Sequence, residues 1–398
     1  MMPVQVITGN HAAGHALSVA GEANRTARGV ACGIYPITPQ TEIVEYVARF
    51  PFSKGRVVPV ESEHSAMAVS MGASLSGARA FTASSANGLA YMAENIMVAG
   101  YYRLPIVMVA VNRTLGPPWN IWADQGDTLM LRDFAWLQFY CENNQEVLDT
   151  TLLAFRIAED KRILLPVLVC MDAFIVSHTQ TETTLTDQDD VDLFLPDLDL
   201  PHRMHRGEAR TVGGLAWPHE GLSMRLEIDE AMKRVPGIYE ECRGSFTDIF
   251  GRDPGDMLQT FATEDAETIL VASGTMATTA REVVRQRRET GEKIGLVKVK
   301  MFRPFPEAAL RAACQSADRV AVLDRNYAAG AGGVFWQDTR AAFQGYRDDV
   351  VIQNYLTGLC GGDVTPAVIE EILADITERF ESSDPVWMGI NTGEETLQ

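Results

Sequence analysis

The sequence lacks the features that place a chain in a membrane or direct it to export. No apolar run reaches the roughly 18 residues of a membrane span, and the start, MMPVQVITGNH, has neither a basic segment nor an apolar core. Basic residues are also scarce, with 34 Lys and Arg against 53 Asp and Glu, a net charge of −19. Nucleic acids and anionic membranes attract basic surfaces, so we expect neither as a partner, and we expect a cytoplasmic protein.

Close cysteine pairs and the common catalytic motifs are missing as well. Zinc and iron–sulfur sites need closely spaced cysteines, so we predict that this chain itself holds no metal. There is no G-x-G-x-x-G turn, Walker loop, H-E-x-x-H or G-x-S-x-G motif, and no Gly-Asp-Gly motif that would hold a magnesium diphosphate. The six cysteines are scattered: Cys32, Cys141, Cys170, Cys242, Cys314 and Cys360.

What is present is an alternation of strands and helices, which predicts an α/β protein with parallel sheets. We assign residues 1–185 to a first sheet domain and 263–380 to a second, smaller parallel α/β domain, with a tail at 381–398. Residues 186–262 are rich in Asp, Pro, Gly and His, with little periodicity before MRLEIDEAMKRV. They are interpreted as a linker or arm that packs on the first domain or on a partner.

Two loops of the first domain carry unusual polar residues directly after a predicted strand, where open parallel sheets bind ligands. In YPITP, the prolines hold the Thr38 hydroxyl in a nearly fixed direction, although a stiff helix entry explains the same pattern. In VESEHSA, Glu61 and Glu63 begin a helix of small residues, and a role in capping that helix is the alternative. The small side chains of the helix would allow another element to pack closely on it.

The next two strands are followed by TASSANG and NRTLGPPWNIWADQGD. Ser85 and Asn87 either cap a helix or face a ligand. Arg113, at the tip of a buried strand, needs a partner, which is either the carboxylate of a bound small molecule or an internal acid, Asp124 or Asp127.

Several motifs in order resemble the alpha subunit of 2-oxoacid:ferredoxin oxidoreductases of the pyruvate:ferredoxin oxidoreductase type. They include TGNHAAGHAL, YPITPQTEIVE, VESEHSAMAVSMGASLSGARAFTASSANGLAYMAE and VAVLDRNYAAGAGG, and the similarity spans nearly the whole chain. The resemblance implies a domain that binds the pyrimidine end of thiamine diphosphate, followed by a domain like the carboxyl-terminal domain of transketolase. A beta subunit would hold the diphosphate and Mg²⁺. Gamma and ferredoxin-like delta subunits would complete the complex, and its partner subunits would carry 4Fe–4S clusters that pass electrons to ferredoxin.

The resemblance also implies roles for individual residues. Glu63 matches the glutamate that hydrogen-bonds the cofactor's pyrimidine. Thr38 and Arg113 match the residues that contact the substrate carboxylate, and coenzyme A is the expected co-substrate. We further expect cofactor contacts from four more residues of the same loops: Pro36, Ile37, Ser85 and Asn87.

Pyruvate is the first expectation for the oxoacid, but the chain departs from many relatives at Phe134 and Ala135 and carries Trp119 and Trp122 after Arg113. If these residues line the substrate pocket, a branched-chain or aryl oxoacid such as phenylglyoxylate is the alternative. A non-catalytic scaffold subunit is a second alternative. The combination of Thr38, Glu63 and Arg113 speaks against it, since a scaffold needs none of them.

Overall fold

A seven-stranded sheet forms the centre of the first domain in the computed structural model, which describes residues 3–205, 207 and 211–390. A second sheet of six strands and an antiparallel pair, β1 with β8, are also present. Over all three, the strands of the described residues are β1 (Val4–Thr8), β2 (Val30–Ile34), β3 (Gly55–Pro59), β4 (Arg79–Ser84), β5 (Ile106–Asn112), β6 (Leu137–Cys141), β7 (Val167–Asp172), β8 (Gln180–Thr184), β9 (Leu258–Phe261), β10 (Thr268–Ala272), β11 (Ile294–Val299), β12 (Met301–Arg303), β13 (Arg319–Asp324), β14 (Val351–Leu356) and β15 (Val386–Trp387).

Helices cover both large sheets. They are α1 (Gly9–Glu22), α2 (Thr41–Arg49), α3 (Glu63–Leu75), α4 (Ala86–Tyr91), α5 (Ala93–Tyr101), α6 (Gly126–Leu129), α7 (Asn144–Ala158), α8 (Gln188–Phe194), α9 (Pro218–Phe250), α10 (Thr275–Glu289), α11 (Glu307–Ala313), α12 (Val334–Phe343) and α13 (Pro366–Thr377). Within the described residues, no helix combines the length and apolar character needed to cross a membrane.

The first sheet has the order β12-β6-β7-β5-β4-β2-β3, and all its pairs are parallel except β12 with β6. Every residue of β4 and β5 is buried, as expected for strands covered by helices on both faces. The predicted α/β architecture with parallel sheets is therefore confirmed. Strand β12 belongs to the carboxyl-terminal half of the chain, so that half extends the first sheet.

Small residues bring α3 very close to β2, as the sequence predicts. A Cβ atom on Gly33 would lie 2.3 Å from the carbonyl oxygen of Ala66, so only glycine fits there. The Ser70 hydroxyl donates to the carbonyl of Phe81 at 3.0 Å and ties the same helix to β4. This packing fixes where α3 begins, and with it the position of Glu63.

The second sheet has the order β15-β14-β13-β10-β11-β9, parallel except for β9. The predicted linker, residues 186–262, contains the 33-residue helix α9. From Ile228 onward its apolar side chains, such as Val235 and Phe246, are buried in the hydrophobic core of the first sheet. The domain boundaries drawn from the sequence stay an interpretation, because α9 packs with the first domain and β12 joins its sheet.

Candidate functional site

The four polar loops singled out in the sequence lie at one edge of the first sheet. They follow β2, β3, β4 and β5, which are neighbours in the order β5-β4-β2-β3 and run parallel. Their carboxyl ends therefore meet at the edge where parallel sheets bind ligands.

The YPITP corner joins β2 to α2 and is held in shape by Gln40. The backbone N–H of Gln40 donates to the carbonyl of Ile37 at 2.9 Å, and its buried side-chain amide donates to the carbonyl of Tyr35 at 2.8 Å. Thr38 is exposed, and among the described residues its hydroxyl makes no hydrogen bond. The corner is thus a rigid entry to a helix that also presents a free hydroxyl, so the two readings of the sequence are compatible.

Arg113 follows β5 and reaches the same corner. One Nη1–H of its guanidinium donates to the carbonyl oxygen of Thr38 at 2.6 Å. The side chain is 8% exposed, and its Nε has no hydrogen-bond partner among the described residues. Burial lowers the pKa of Arg113, and the charges of Asp127 and Glu63 act in the opposite direction. The cation is therefore close to Glu63 and keeps donors for a further anion.

The internal ion pairs considered for Arg113 are not formed within the described part of the chain. Asp127 instead accepts the backbone N–H groups of Arg113 and Ala86, at 3.0 and 2.9 Å, and the side-chain amide of Asn112 at 2.8 Å. Burial raises the pKa of Asp127 to about 7. This carboxyl joins the ends of β4 and β5, a bracing role that sequence spacing does not reveal.

Glu63 begins α3, but Ser62 caps that helix, because its hydroxyl accepts the N–H of Ser65. The Glu63 carboxylate reaches across to α4, where a Cβ atom added to Gly88 would lie 2.7 Å from its Oε1. The side chain is 8% exposed, yet no described residue hydrogen-bonds or ion-pairs with its carboxylate. Glu63 is therefore a buried carboxylate that is available to a ligand. Glu61, in contrast, is exposed and accepts a hydrogen bond from Ser65.

Ser85 and Asn87 use their side chains within the protein. The Ser85 hydroxyl donates to the carbonyl of Val111 at 2.6 Å, and the Asn87 amide exchanges two hydrogen bonds of 3.1 Å with the backbone of Gly116. They hold the loop after β5 in place. Direct contact between these two side chains and a cofactor, like that of Pro36 and Ile37, stays a prediction.

The loop that carries Arg113 is also fixed by the second domain. The N–H of Gly361 donates to the carbonyl of Ala123 at 2.9 Å, and the N–H of Gln125 donates to the carbonyl of Arg325 at 2.8 Å. A Cβ atom on Gly361 would lie 2.1 Å from Cβ of Trp122. The second domain therefore helps to set the path of this loop between Trp122 and Gln125.

The two pairs of residues that set this sequence apart from many relatives lie at opposite ends of the strands of the first sheet. Trp119 and Trp122 belong to the loop after β5, at the candidate site, and are 70% and 50% exposed. Phe134 and Ala135 precede β6, and β6 runs parallel to β7, so they lie at the amino ends of the strands. There the Phe134 carbonyl packs against Gly100 of α5. Only the tryptophans are placed to influence a ligand.

A second polar group without a partner lies beside Glu63. The Ser84 hydroxyl is buried without a hydrogen-bond partner among the described residues, and both Ser84 Oγ and Glu63 Oε1 approach the Cβ position of Gly88. Buried polar groups normally have partners, so the unused acceptor and hydroxyl suit a ligand with N–H groups. Within the described residues, no group of three or more His, Cys, Asp or Glu side chains could hold a metal ion.

Comparison with known protein families places the first domain in a thiamine diphosphate-binding class. Residues 22–244 match the family described as pyruvate flavodoxin/ferredoxin oxidoreductase, thiamine diphosphate-binding, and residues 266–369 match pyruvate:ferredoxin oxidoreductase core domain II. The chain therefore belongs to the pyruvate:ferredoxin oxidoreductase family, and the resemblance found in the sequence is confirmed.

Similar proteins extend this result over nearly the full chain. Pyruvate synthase subunit PorA of Methanothermobacter thermautotrophicus is 40% identical over 392 residues, which is 98% of this chain and 99% of that protein. Ketoisovalerate oxidoreductase subunit VorA of Pyrococcus furiosus is 40% identical over 383 residues, 95% of each chain. The chain is thus about equally similar to two subunits whose names give different oxoacids, pyruvate and ketoisovalerate.

Solved structures agree on the fold. The 2-oxoglutarate:ferredoxin oxidoreductase of Magnetococcus marinus, with 2-oxoglutarate, coenzyme A and succinyl-CoA bound, superposes with a TM-score of 0.72 at 20% identity. The match covers 94% of this chain and 65% of that one. A split-gene transketolase, as an inactive tetramer, gives a TM-score of 0.55 at 13% identity over 94% and 98% of the two chains.

Proposed function

We propose that this chain is the alpha subunit of a coenzyme A-acylating 2-oxoacid:ferredoxin oxidoreductase, with pyruvate as its substrate. The observation that carries the proposal is the hydrogen bond from the Arg113 guanidinium to Thr38, beside the unpaired Glu63 carboxylate. One face thereby offers a hydroxyl and a cation for a carboxylate, and an acid for a heterocycle. Bound thiamine diphosphate would supply the carbanion chemistry that removes CO₂ from a 2-oxoacid.

Each of the three residues then has a defined task. Glu63 would accept a hydrogen bond from a ring nitrogen of the pyrimidine. Arg113, whose Nε is unused, would bind the substrate carboxylate, and the Thr38 hydroxyl would donate to the same group. Fixing the carboxylate orients the neighbouring keto carbon for reaction.

The remaining parts of the enzyme would come from other subunits. We assign the diphosphate and Mg²⁺ to a beta subunit, and the 4Fe–4S clusters to partner subunits that pass electrons to ferredoxin, with gamma and delta subunits completing the complex. The chain alone is expected to be inactive. A cytoplasmic location is part of this proposal.

The experiment is a substrate comparison on the complex purified from its native source. We expect visible iron–sulfur absorbance and a dye reduction that requires both coenzyme A and an oxoacid, with the highest kcat/KM for pyruvate. A higher kcat/KM for 2-oxoisovalerate than for pyruvate would show that the substrate is a branched-chain oxoacid. This second candidate is favoured by Trp119 and Trp122, which are exposed in the loop that begins at Arg113. A complex without bound thiamine diphosphate and without any such activity would contradict the proposal and favour a non-catalytic scaffold subunit.

Gly361→Ala should impair oxoacid use, although the residue belongs to the second domain. Its Cβ would collide with Trp122 and displace the loop that starts at Arg113, and we expect kcat/KM for the oxoacid to fall about tenfold or more, as for a small misplacement of a binding group. Gly345→Ala is the matched control, because Gly345 also has a positive φ, +72° against +88°, but a Cβ there meets no atom within 4 Å. Equal losses of kcat/KM in both variants would mean that backbone strain, and not the contact with Trp122, causes the effect of Gly361→Ala.

A further inference from the structure

The Thr38–Pro39 corner is held by side chains from two distant segments of the chain. Arg113 donates to the carbonyl of Thr38, and the next carbonyl, that of Pro39, accepts a hydrogen bond of 2.7 Å from Nδ2 of Asn10. Two consecutive carbonyls of the corner are thus fixed from outside, one on each side of Cα of Pro39. Both contacts hold the backbone at the residue that carries the Thr38 hydroxyl or at the residue after it.

Asn10 is placed firmly enough to fix the corner. It lies in the first turn of α1, is 1% exposed, and its N–H donates to the carbonyl of Ser177 at 3.1 Å. A Cβ atom on the preceding Gly9 would lie 2.6 Å from the carbonyl oxygen of Val176, so the helix starts in direct contact with that segment. Thr8 caps α1, since its hydroxyl accepts the N–H of His11. Asn10 lies two residues after this cap, and its side-chain amide is directed to the corner and to α2 instead.

Glu42 completes the hold on Asn10. The second Nδ2 proton of Asn10 goes to Glu42 Oε2 at 2.8 Å, and Glu42 Oε1 lies 3.2 Å from Nε2 of His178. The other ring nitrogen of His178 lies 2.8 Å from the Ser177 hydroxyl. Glu42 thus connects the corner, through its own helix α2, to the segment after β7.

From His178 the contacts continue to the loop of Arg113. The His178 ring lies 4.7 Å from Phe174, and Phe174 lies 5.0 Å from Trp122, measured between ring centroids. The carbonyl of Trp122 accepts the N–H of Thr114 at 2.9 Å. Since Thr114 follows Arg113, and Arg113 donates back to Thr38, the contacts form a closed series that includes both residues of the candidate carboxylate site.

We propose that Asn10 is a positioning residue for the oxoacid carboxylate, acting through the carbonyl of Pro39, with Glu42 holding Asn10 in place. The proposal rests on the function proposed above for Thr38 and Arg113. Without the amide of Asn10, the corner loses one of its two external hydrogen bonds and the Thr38 hydroxyl moves relative to the Arg113 guanidinium. A carboxylate clamp depends on the spacing of its donors, so oxoacid binding should weaken while steps that do not involve the carboxylate continue.

The test uses the complete multi-subunit enzyme carrying Asn10→Ala. We expect the KM for the oxoacid to rise about tenfold or more, with kcat changed much less and the KM for coenzyme A unchanged. Glu42→Ala should act in the same direction. Glu42→Gln, which keeps an oxygen to accept from Asn10, should give a KM between those of the wild type and Glu42→Ala.

Glu45→Ala is the matched control, because Glu45 lies one turn further on α2 and pairs with exposed Arg49, away from the corner. It should leave the KM for the oxoacid unchanged. If Asn10→Ala lowers thermal stability and leaves the KM unchanged, Asn10 only supports the fold and the proposal is wrong. If Asn10→Ala fails to assemble, the half-exposed Glu42 decides, since an unchanged KM in Glu42→Ala also overturns the proposal. Failure of the proposed function itself would appear separately, as a wild-type complex without oxoacid activity.

Discussion

Glu63→Gln is expected to lower turnover by about 10²–10⁴-fold while the complex still assembles, the range lost when a positioned proton-transfer group is removed. The carboxylate is buried against Gly88 and has no partner among the described residues, so its charge is available to hold a proton on a ring nitrogen of the cofactor. Glutamine keeps the shape and the packing against Gly88 but removes that charge. The measurement is oxoacid-dependent dye reduction, together with the amount of thiamine diphosphate bound.

Glu61→Gln is the control for this variant. Glu61 lies two residues before Glu63, is exposed, and accepts a hydrogen bond from Ser65 of α3. It should keep wild-type turnover. Wild-type turnover in Glu63→Gln would refute the role of Glu63, and equal losses in the two variants would indicate that the start of α3, rather than one carboxylate, is what matters.

Arg113→Ala should lower kcat/KM for the oxoacid by roughly 30- to 1,000-fold. Truncating one partner of a buried, hydrogen-bonded charge pair costs about 2–4 kcal/mol, and each 1.4 kcal/mol is tenfold. The change also removes the hydrogen bond to Thr38, so both donors of the carboxylate site are affected. Steady-state kinetics with the oxoacid and with coenzyme A as varied substrates would separate this loss from a general one.

Two further substitutions sharpen this result. Arg113→Lys keeps the positive charge but not the planar fork that serves Thr38 and a carboxylate together, so we expect an intermediate kcat/KM. Arg56→Ala, in strand β3 at the edge of the same sheet, removes an exposed arginine and should have no effect. An unchanged kcat/KM in Arg113→Ala would exclude the clamp.

The sheets were predictable from the sequence where strands are continuous apolar runs. Buried strands such as β4 and β5 appear as such runs, and their carboxyl ends predict where polar side chains meet. Strand β12, of three residues, was not predictable, because its pairing partner β6 is about 160 residues away. Helix α9 was only partly visible, since its exposed first turns lack apolar periodicity and it gains its buried face from the first domain.

The site could be predicted as a set of residues but not as a set of contacts. Thr38, Glu63 and Arg113 each follow a strand of one parallel sheet, so the sequence already places all three at the carboxyl ends of its strands. That Arg113 donates to the carbonyl of Thr38, rather than pairing with an aspartate, depends on Asp127 already accepting backbone N–H groups. Asn10 stood in a motif that supported the resemblance, but no spacing rule connects it to Pro39, 29 positions away.

Strand β12 makes the two halves of the chain interdependent. All five residues of β6 are buried, and β12 covers the outer edge of that strand. A fragment that ends before residue 263 would leave this edge with unpaired N–H and C=O groups beside apolar side chains, a template for aggregation. We therefore expect that two fragments separated at this boundary are not independently soluble, unless another segment pairs with β6 in place of the three residues of β12.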